Sequence, residues 1–394
     1  MRVRRCAHLM IELDQEPRFD VAMLLAGGDG LDRAPRWLAF APHLPEPVPV
    51  TLDALALLQA VPRDDWTTVA ALSAEHGTAA MEALLATGLL IGDDDAAADG
   101  RARDAAVRDV AGWTPALVAQ AHGGWEEVDI EDRRGRGLTM SSAQMVDAFG
   151  AAPDPDVRRV PDAAAVPLAA PRHTTFDTLL QARRTCRNFD PAAALPADAF
   201  ATMLRRVWGA FGTKELAPGA VAVKKNSPAG GGLHAIEAYV LVQRVEGVAP
   251  GLYHYLAMAH ALEPLRRLEA ADAVAVAHRF VAGQDWFRDA PAMVVMVARF
   301  DRLFWKYRRH RKAWRVVHLD AGHLSQTMYL SATELGLGAF VTAAINDRVI
   351  EAELGLPPLR EGAIALVGFG PRAPAMRTME LDVFEPVRPD LAGD

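Results

Sequence analysis

Apolar positions recur along this chain with two different periods, and the change from one to the other marks its parts. Ala7, Leu9 and Ile11 alternate with polar neighbours, the spacing of a half-buried strand, and Arg36 to Ala41 forms a second such run. Three stretches with helical spacing follow. The first has Leu52, Leu55, Leu57 and Leu58 after Thr51 as N-cap; the second has Trp66, Val69, Ala70 and Leu72 after Asp64 and Asp65. The third, with Met81, Leu84 and Leu85, stops at Gly88 as at a C-cap, and Leu89 to Asp93 predicts a short strand and turn. Helix, helix, helix, short strand is the order of a winged helix.

Residues 94–105, rich in Asp and Ala, are expected at the surface. Helical potential returns at Trp113 to Ala121, and Ala151 to Pro171, dense in Pro, Ala and Asp, predicts a linker. Beyond it, helices are predicted at Phe176 to Arg183 and Asp198 to Trp208. Strands are predicted at Ala238 to Gln243, Leu252 to Tyr255, Pro291 to Phe300 and Ala363 to Gly368. Leu319 to Leu335 predicts a long helix, apolar nearly all round and carrying Ala321, Gly322, Ser325 and Ala332, hence buried in the core or packed on another subunit. The fold class expected is α+β, a central, mostly antiparallel sheet wrapped by helices. The boundaries predicted are 1–105 for a winged-helix-like domain, 106–172 for a helical and linker region, and 173–394 for the second domain.

Composition narrows the classes. With 394 residues, two domains are expected, and 51% hydrophobic with 23% charged residues suits a globular protein. Apolar runs such as Ala292 to Val297 are far shorter than the roughly 20 residues a membrane span needs. The start Met-Arg-Val-Arg-Arg lacks the apolar core of a signal peptide, and Cys6 and Cys186 form no metal or redox spacing, so a cytoplasmic protein without disulfides is expected. A net charge of -8 argues against nucleic acid as partner, as does the acidic run Asp93 to Asp95 beside the predicted winged helix. The basic cluster from Lys306 to Arg315 reads as a solvated helix face.

Three segments carry candidate chemistry. Arg183, Arg184, Thr185 and Arg187 stand where a helix gives way to extended chain; guanidinium forks and a hydroxyl suit a phosphate there, though cations also complement a helix C-terminus. Ser227-Pro228-Ala229-Gly230-Gly231-Gly232 permits close backbone approach to a flat or anionic ligand, or simply makes a flexible loop. The third comprises Lys306-Tyr307, then Asp320, Gly322, His323 and Gln326. No carboxylate or Cys completes a metal set with His318 and His323, so no metal is expected.

Together these segments resemble the nitroreductase superfamily, specifically its SagB/ThcOx-type branch of FMN-dependent peptide-maturation dehydrogenases. The resemblance lies in RRTCRNF (183–189), SPAGGGLHAIEAYVL (227–241), GLYHY (251–255), WKY (305–307), LDAGHLSQTMYLSATELGLG (319–338) and VGFGPR (367–372), in the family's order. It implies a domain-swapped homodimer with FMN at the subunit interface. Arg183, Arg184, Thr185 and Arg187 would hold the phosphate and the polar edge of the ring. Ser227, Pro228, Ala229 and Gly230 would cross the flavin from the partner subunit. Gln326 falls in the matching long helix, Ala343 and Ala344 would face the N5 region, and Arg372 and Arg377 would complete the phosphate site. Lys306 and Tyr307 match a catalytic pair, implying two-electron oxidation of an azoline ring or peptide residue with hydride transfer to the flavin. A precursor peptide and a cyclase are the partners implied. Ala229 and Ala235 depart from the family's usual Ser and Pro, which leaves the substrate open. Residues 52–61 and 81–94 resemble peptide-clamp domains more loosely. An NAD(P)H-dependent nitro or quinone reductase and a non-catalytic peptide-docking subunit are the competing readings.

Overall fold

Val3 and the strand around it organise the N-terminal part of the protein. In the computed structural model, which describes residues 1–157, 159, 165–166, 168–169 and 171–381, Arg2–Arg5 lies between Thr67–Thr68 and Leu90–Gly92, antiparallel to both. Helices Leu52–Ala60, Val69–His76 and Thr78–Ala86 follow the predicted order and cluster Leu57, Leu58, Leu72, Met81 and Leu84 with Val3, Leu90 and Ile91. Thr51 caps the first helix, its hydroxyl accepting from the Ala54 N–H at 3.2 Å. Gly88 has φ +80°, a conformation that favours glycine.

The structure moves three of the predicted elements. The first half-buried strand runs over Met10–Asp14, paired with Arg36–Phe40, because Ala7 turns its N–H out of the sheet to Asp104 at 2.7 Å. Trp66 and the start of the second helical pattern are extended, since Thr67–Thr68 pairs with Arg2–Arg5 before the helix begins. Residues 94–105 are not simply surface: Ala98–Arg108 is a helix, and Asp104 is fully buried, accepting from Arg108 Nε at 2.9 Å and Nη2 at 2.6 Å. A buried carboxylate persists only with such partners.

A six-stranded sheet runs, in spatial order, Ala261–Arg267, Gly251–Leu256, Ile236–Val242, Ala292–Arg299, Glu361–Gly370 and Gly338–Thr342. The first two neighbouring pairs and the last pair are antiparallel. Ala292–Arg299 is buried along nearly its whole length, as its unbroken apolar run predicts for a central strand. Helix Ala197–Val207 presents Phe200, Met203, Leu204 and Val207 at helical spacing to this core, which Leu324, Met328 and Ala332 of the long helix complete. That helix spans Ala313–Glu334 and is not apolar all round: Leu319, Gly322, His323 and Gln326 are exposed.

The chain divides into two compact units. One comprises Met1–Gly124, Ala298–Val317 and Gly355–Gly362; the other comprises the described residues of Trp125–Val297, His318–Leu354 and those from Ala363 onward. Helices Ser142–Phe149 and Thr175–Ala182 bury none of their residues, although Met145, Val146, Phe149, Phe176 and Leu180 are large and apolar. Among the described residues, no helix is long and apolar enough to cross a membrane.

Gly368 faces Phe340 across the strand pair, and Phe340 stacks on Phe287 with centroids 3.9 Å apart. A Cβ at Gly368 would overlap Phe340 Cε1 and come within 2.8 Å of its Cζ, so the stacked ring would have to shift. Gly368→Ala is therefore expected to destabilise the fold by about 1–3 kcal/mol in denaturant titration. An unchanged midpoint would show the ring is free to move.

Candidate active site

Helix Thr175–Ala182 starts at a capping box between Thr174 and Asp177 and ends where predicted, with Arg183 extended at φ -63°, ψ 126°. From there the chain is laid along the sheet edge. The Cys186 N–H bonds the Ala339 carbonyl at 2.8 Å, and a Cβ on Gly338 would come within 2.6 Å of Cys186 Sγ and 2.9 Å of Arg372 Cγ. Glycine at 338 thus lets the arginine strand and Arg372 share one place. Burial pushes the Cys186 thiol up to about 11, which leaves it inert as a nucleophile.

Tyr329, from the long helix, gathers this strand. Its hydroxyl lies 3.0 Å from Thr185 Oγ1 and accepts from the Val341 N–H at 3.1 Å, while Arg183 lies over its ring at 5.2 Å. The strand's other end is stitched to a C-terminal strap. Asn188 Oδ1 accepts from the N–H groups of Arg377 and Thr378 at 2.7 and 2.8 Å, and its amide donates to Thr378 O at 2.7 Å and to Glu380 at 2.8 Å. Glu380 also accepts from the Arg187 N–H at 2.6 Å and pairs with Arg372. Burial pushes the Glu380 carboxyl up, but these three donors outweigh it and hold it below the usual carboxylate range.

Arg187 and Arg377 line a cavity of about 580 Å³ with Phe189, Trp286 and the carboxylates Glu131, Asp190, Asp285 and Asp289, of which Glu131 pairs with Arg134 and Asp285 with Arg288. Neither the Arg187 nor the Arg377 guanidinium has a side-chain partner among the described residues. Arg184 is exposed beside them in sequence.

The glycine-rich loop is held by the same long helix. Ser227 Oγ lies 2.7 Å from Thr327 Oγ1, the Pro228 carbonyl 3.3 Å from His323 Nδ1, and the Gly230 N–H donates to Asp320 at 3.0 Å. Asp320, His323 and Thr327 stand at i, i+3 and i+7, one helical face. Tyr329 is nine residues beyond Asp320, about two and a half turns, so it points the opposite way. Within one chain the arginine strand and the Ser227–Gly230 loop are therefore mounted on opposite faces of one helix. They do not converge on a common slot there.

Ala343 is exposed and Ala344 half-buried; the buried Gln284 braces their turn, donating to Ala344 O at 2.8 Å and Thr342 Oγ1 at 3.2 Å. Gln326 is exposed on the long helix. Lys306 and Tyr307 end helix Phe300–Tyr307, in the unit that also contains the N-terminal 124 residues. Lys306 is exposed, Tyr307 half-buried, and Arg308 terminates the helix in a left-handed conformation, φ +46°. Tyr329, Asn188, Glu380 and Thr327 were not foreseen as site residues. Each works through partners remote in sequence, although Asn188, Thr327 and Tyr329 lie inside the recognised motifs 183–189 and 319–338.

Residues 180–371 match the family model described as the nitroreductase family. This stretch is a nitroreductase domain. A protein of Methanocaldococcus jannaschii named as a nitroreductase is 32% identical over 126 residues, 32% of this chain and 61% of that one. The trifolitoxin-processing protein TfxB of Rhizobium leguminosarum bv. trifolii is 28% identical over 144 residues, 36% of this chain and 38% of that one. The chain thus spans less than two thirds of either relative. Among solved structures, the E. coli microcin synthetase McbBCD complex with truncated pro-MccB17 bound is similar at a TM-score of 0.46 and 19% identity, covering 63% of this chain and 88% of that one. The nitroreductase domain contains the arginine strand, the glycine-rich loop and the α+β sheet described above.

Asp320 is buried, and burial raises its carboxyl above the ordinary 3.8 despite the Gly230 N–H and His323. The folded state therefore holds this proton more tightly than the unfolded chain. Its contribution to stability is complete below pH 3.8 and is lost as pH rises through the raised value. Asp320→Asn keeps an oxygen for Gly230 and removes that loss. Its melting temperature relative to wild type is expected to climb as pH rises above 3.8; a difference that is flat or falls with pH would sink this account.

Proposed function

We propose that the chain is an FMN-dependent dehydrogenase acting in the maturation of a ribosomally made peptide. The observation that supports the cofactor assignment is that Arg187 and Arg377, neither with a side-chain partner among the described residues, line one cavity at the C-terminal edge of the nitroreductase match, where two of the neighbouring carboxylates, Glu131 and Asp285, are already paired with Arg134 and Arg288. Such a place suits a phosphate, and Arg183 and Thr185 on the same strand add a cation and a hydroxyl. The Ser227–Gly230 loop, and the Ala343–Ala344 turn after the long helix, are assigned to the ring. Because strand and loop occupy opposite faces of one helix, the complete site is assigned to two copies of the chain. The exposed Leu319, Gly322 and Gln326 face, and the uncovered Phe176 and Leu180, support that homodimer.

When bound, the flavin supplies two-electron redox chemistry. The chain's own share is to bind the phosphate, exclude water and manage a proton. Lys306 and Tyr307 are assigned to the proton, at the end of a helix that stops abruptly at Arg308. The peptide assignment draws support from the trifolitoxin-processing relative, and a leader-docking role for the N-terminal helices and strands goes with it. A second reading, an NAD(P)H-dependent nitro or quinone reductase, is favoured by the Methanocaldococcus relative.

Purified protein is expected to be a yellow dimer absorbing at about 450 nm. Under anaerobic conditions NADPH should leave that band intact; rapid bleaching selects the reductase. A colourless protein that cannot be reconstituted, or a monomer that keeps its flavin, contradicts the shared site. Lys306→Ala and Tyr307→Phe should retain bound FMN and lose about 100-fold or more in turnover. Full turnover in both removes the catalytic assignment.

A further inference from the structure

The Glu380 carboxylate is completely covered, and both its oxygens are engaged. Oε1 accepts from the Arg187 N–H and the Asn188 amide, and Oε2 from Arg372. A carboxylate enclosed in this way must meet a cation at contact distance, or its lost hydration expels it. Arg372 is that cation. Its stem packs over Gly338, and its side chain is 31% exposed. Arg187 and Arg377 are arranged differently: the strap and strand take their backbone N–H groups, both residues line the cavity, and neither side chain has a partner among the described residues.

The family resemblance gives Arg372 to the cofactor phosphate. We propose instead that Arg372 is the counter-ion of Glu380, that this pair is a positioning element for the arginine strand, and that Arg187 and Arg377 are the guanidiniums that meet the anion. The inference rests on the flavin reading above. A guanidinium whose charge is already offset by a buried carboxylate has less net attraction left for a phosphate. Drawing it away would leave a buried carboxylate unmatched, the costly case for an ion pair. Holding the Arg187 N–H in place, Glu380 fixes where the Arg187 side chain leaves the strand.

The test is a double-mutant cycle in the full-length dimer, read as FMN affinity by quenching of flavin fluorescence, with a thermal melt of each protein. Arg372→Gln alone leaves Glu380 unmatched and is expected to weaken FMN binding about tenfold and lower the melting temperature. Arg372→Gln with Glu380→Gln replaces the ion pair by a neutral, hydrogen-bonded one and is expected to return affinity to within about threefold of wild type. Arg187→Gln is expected to stay weak whichever residue stands at 380. A double variant that binds as weakly as Arg372→Gln alone, or that does not fold, overturns the proposal, because Arg372 then grips the anion itself. Wild-type affinity in Arg372→Gln also overturns it. Failure of the flavin reading is distinguishable, since wild type and every variant would then leave the fluorescence unquenched.

Discussion

The hydroxyl of Tyr329 is the joint on which the candidate site depends. It reaches Thr185 on the arginine strand and the Val341 N–H on the edge strand, while its ring lies under Arg183. A phenol does this economically: one apolar body fills the core beneath the sheet, and one polar tip serves two partners that would otherwise be unsatisfied. Two and a half turns earlier, the same helix clips the Ser227–Gly230 loop through Asp320, His323 and Thr327. One helix therefore holds both the arginine strand and the glycine-rich loop, and holds them back to back.

That geometry makes sense of surfaces the single chain leaves uncovered. The helix face around Leu319 and Gly322 is open, and Phe176 and Leu180 project from a helix that buries nothing. Small residues at an open helix face admit close approach by another backbone, and isolated apolar helices are costly in water. In the two-copy site proposed above, a second copy of the chain covers these faces and supplies the other half.

Buried charge is handled in three ways in this protein, with different consequences. Asp104 is matched by Arg108 and by the Ala7 N–H and anchors the N-terminal unit. Glu380 is matched by Arg372 and two further donors and anchors the strap. Asp320 has the Gly230 N–H and His323 against its burial, and burial wins. The first two act as fasteners; the third is a carboxyl that burial holds to its proton, beside the Ser227–Gly230 loop.

Local periodicity in the sequence determined much of this protein. The three N-terminal helices, the central strand Ala292–Arg299 and the break from helix to extended chain at Arg183 were legible, because capping, apolar spacing and β-branching act over a few residues. The edge strand Ala261–Arg267 and the hairpin Gly212–Ala217 with Ala220–Lys224 were not, since they are mostly exposed and carry no apolar rhythm. The order of the motifs carried the family, which the match over residues 180–371 bears out. The counter-ions of the two buried carboxylates are near in sequence, but tertiary structure alone decided which backbone donors reach them: Asp104 finds the Ala7 N–H across 97 positions and Glu380 the Arg187 N–H across 193. Pairing of that kind is set by how the elements pack, and no local pattern of residues encodes it.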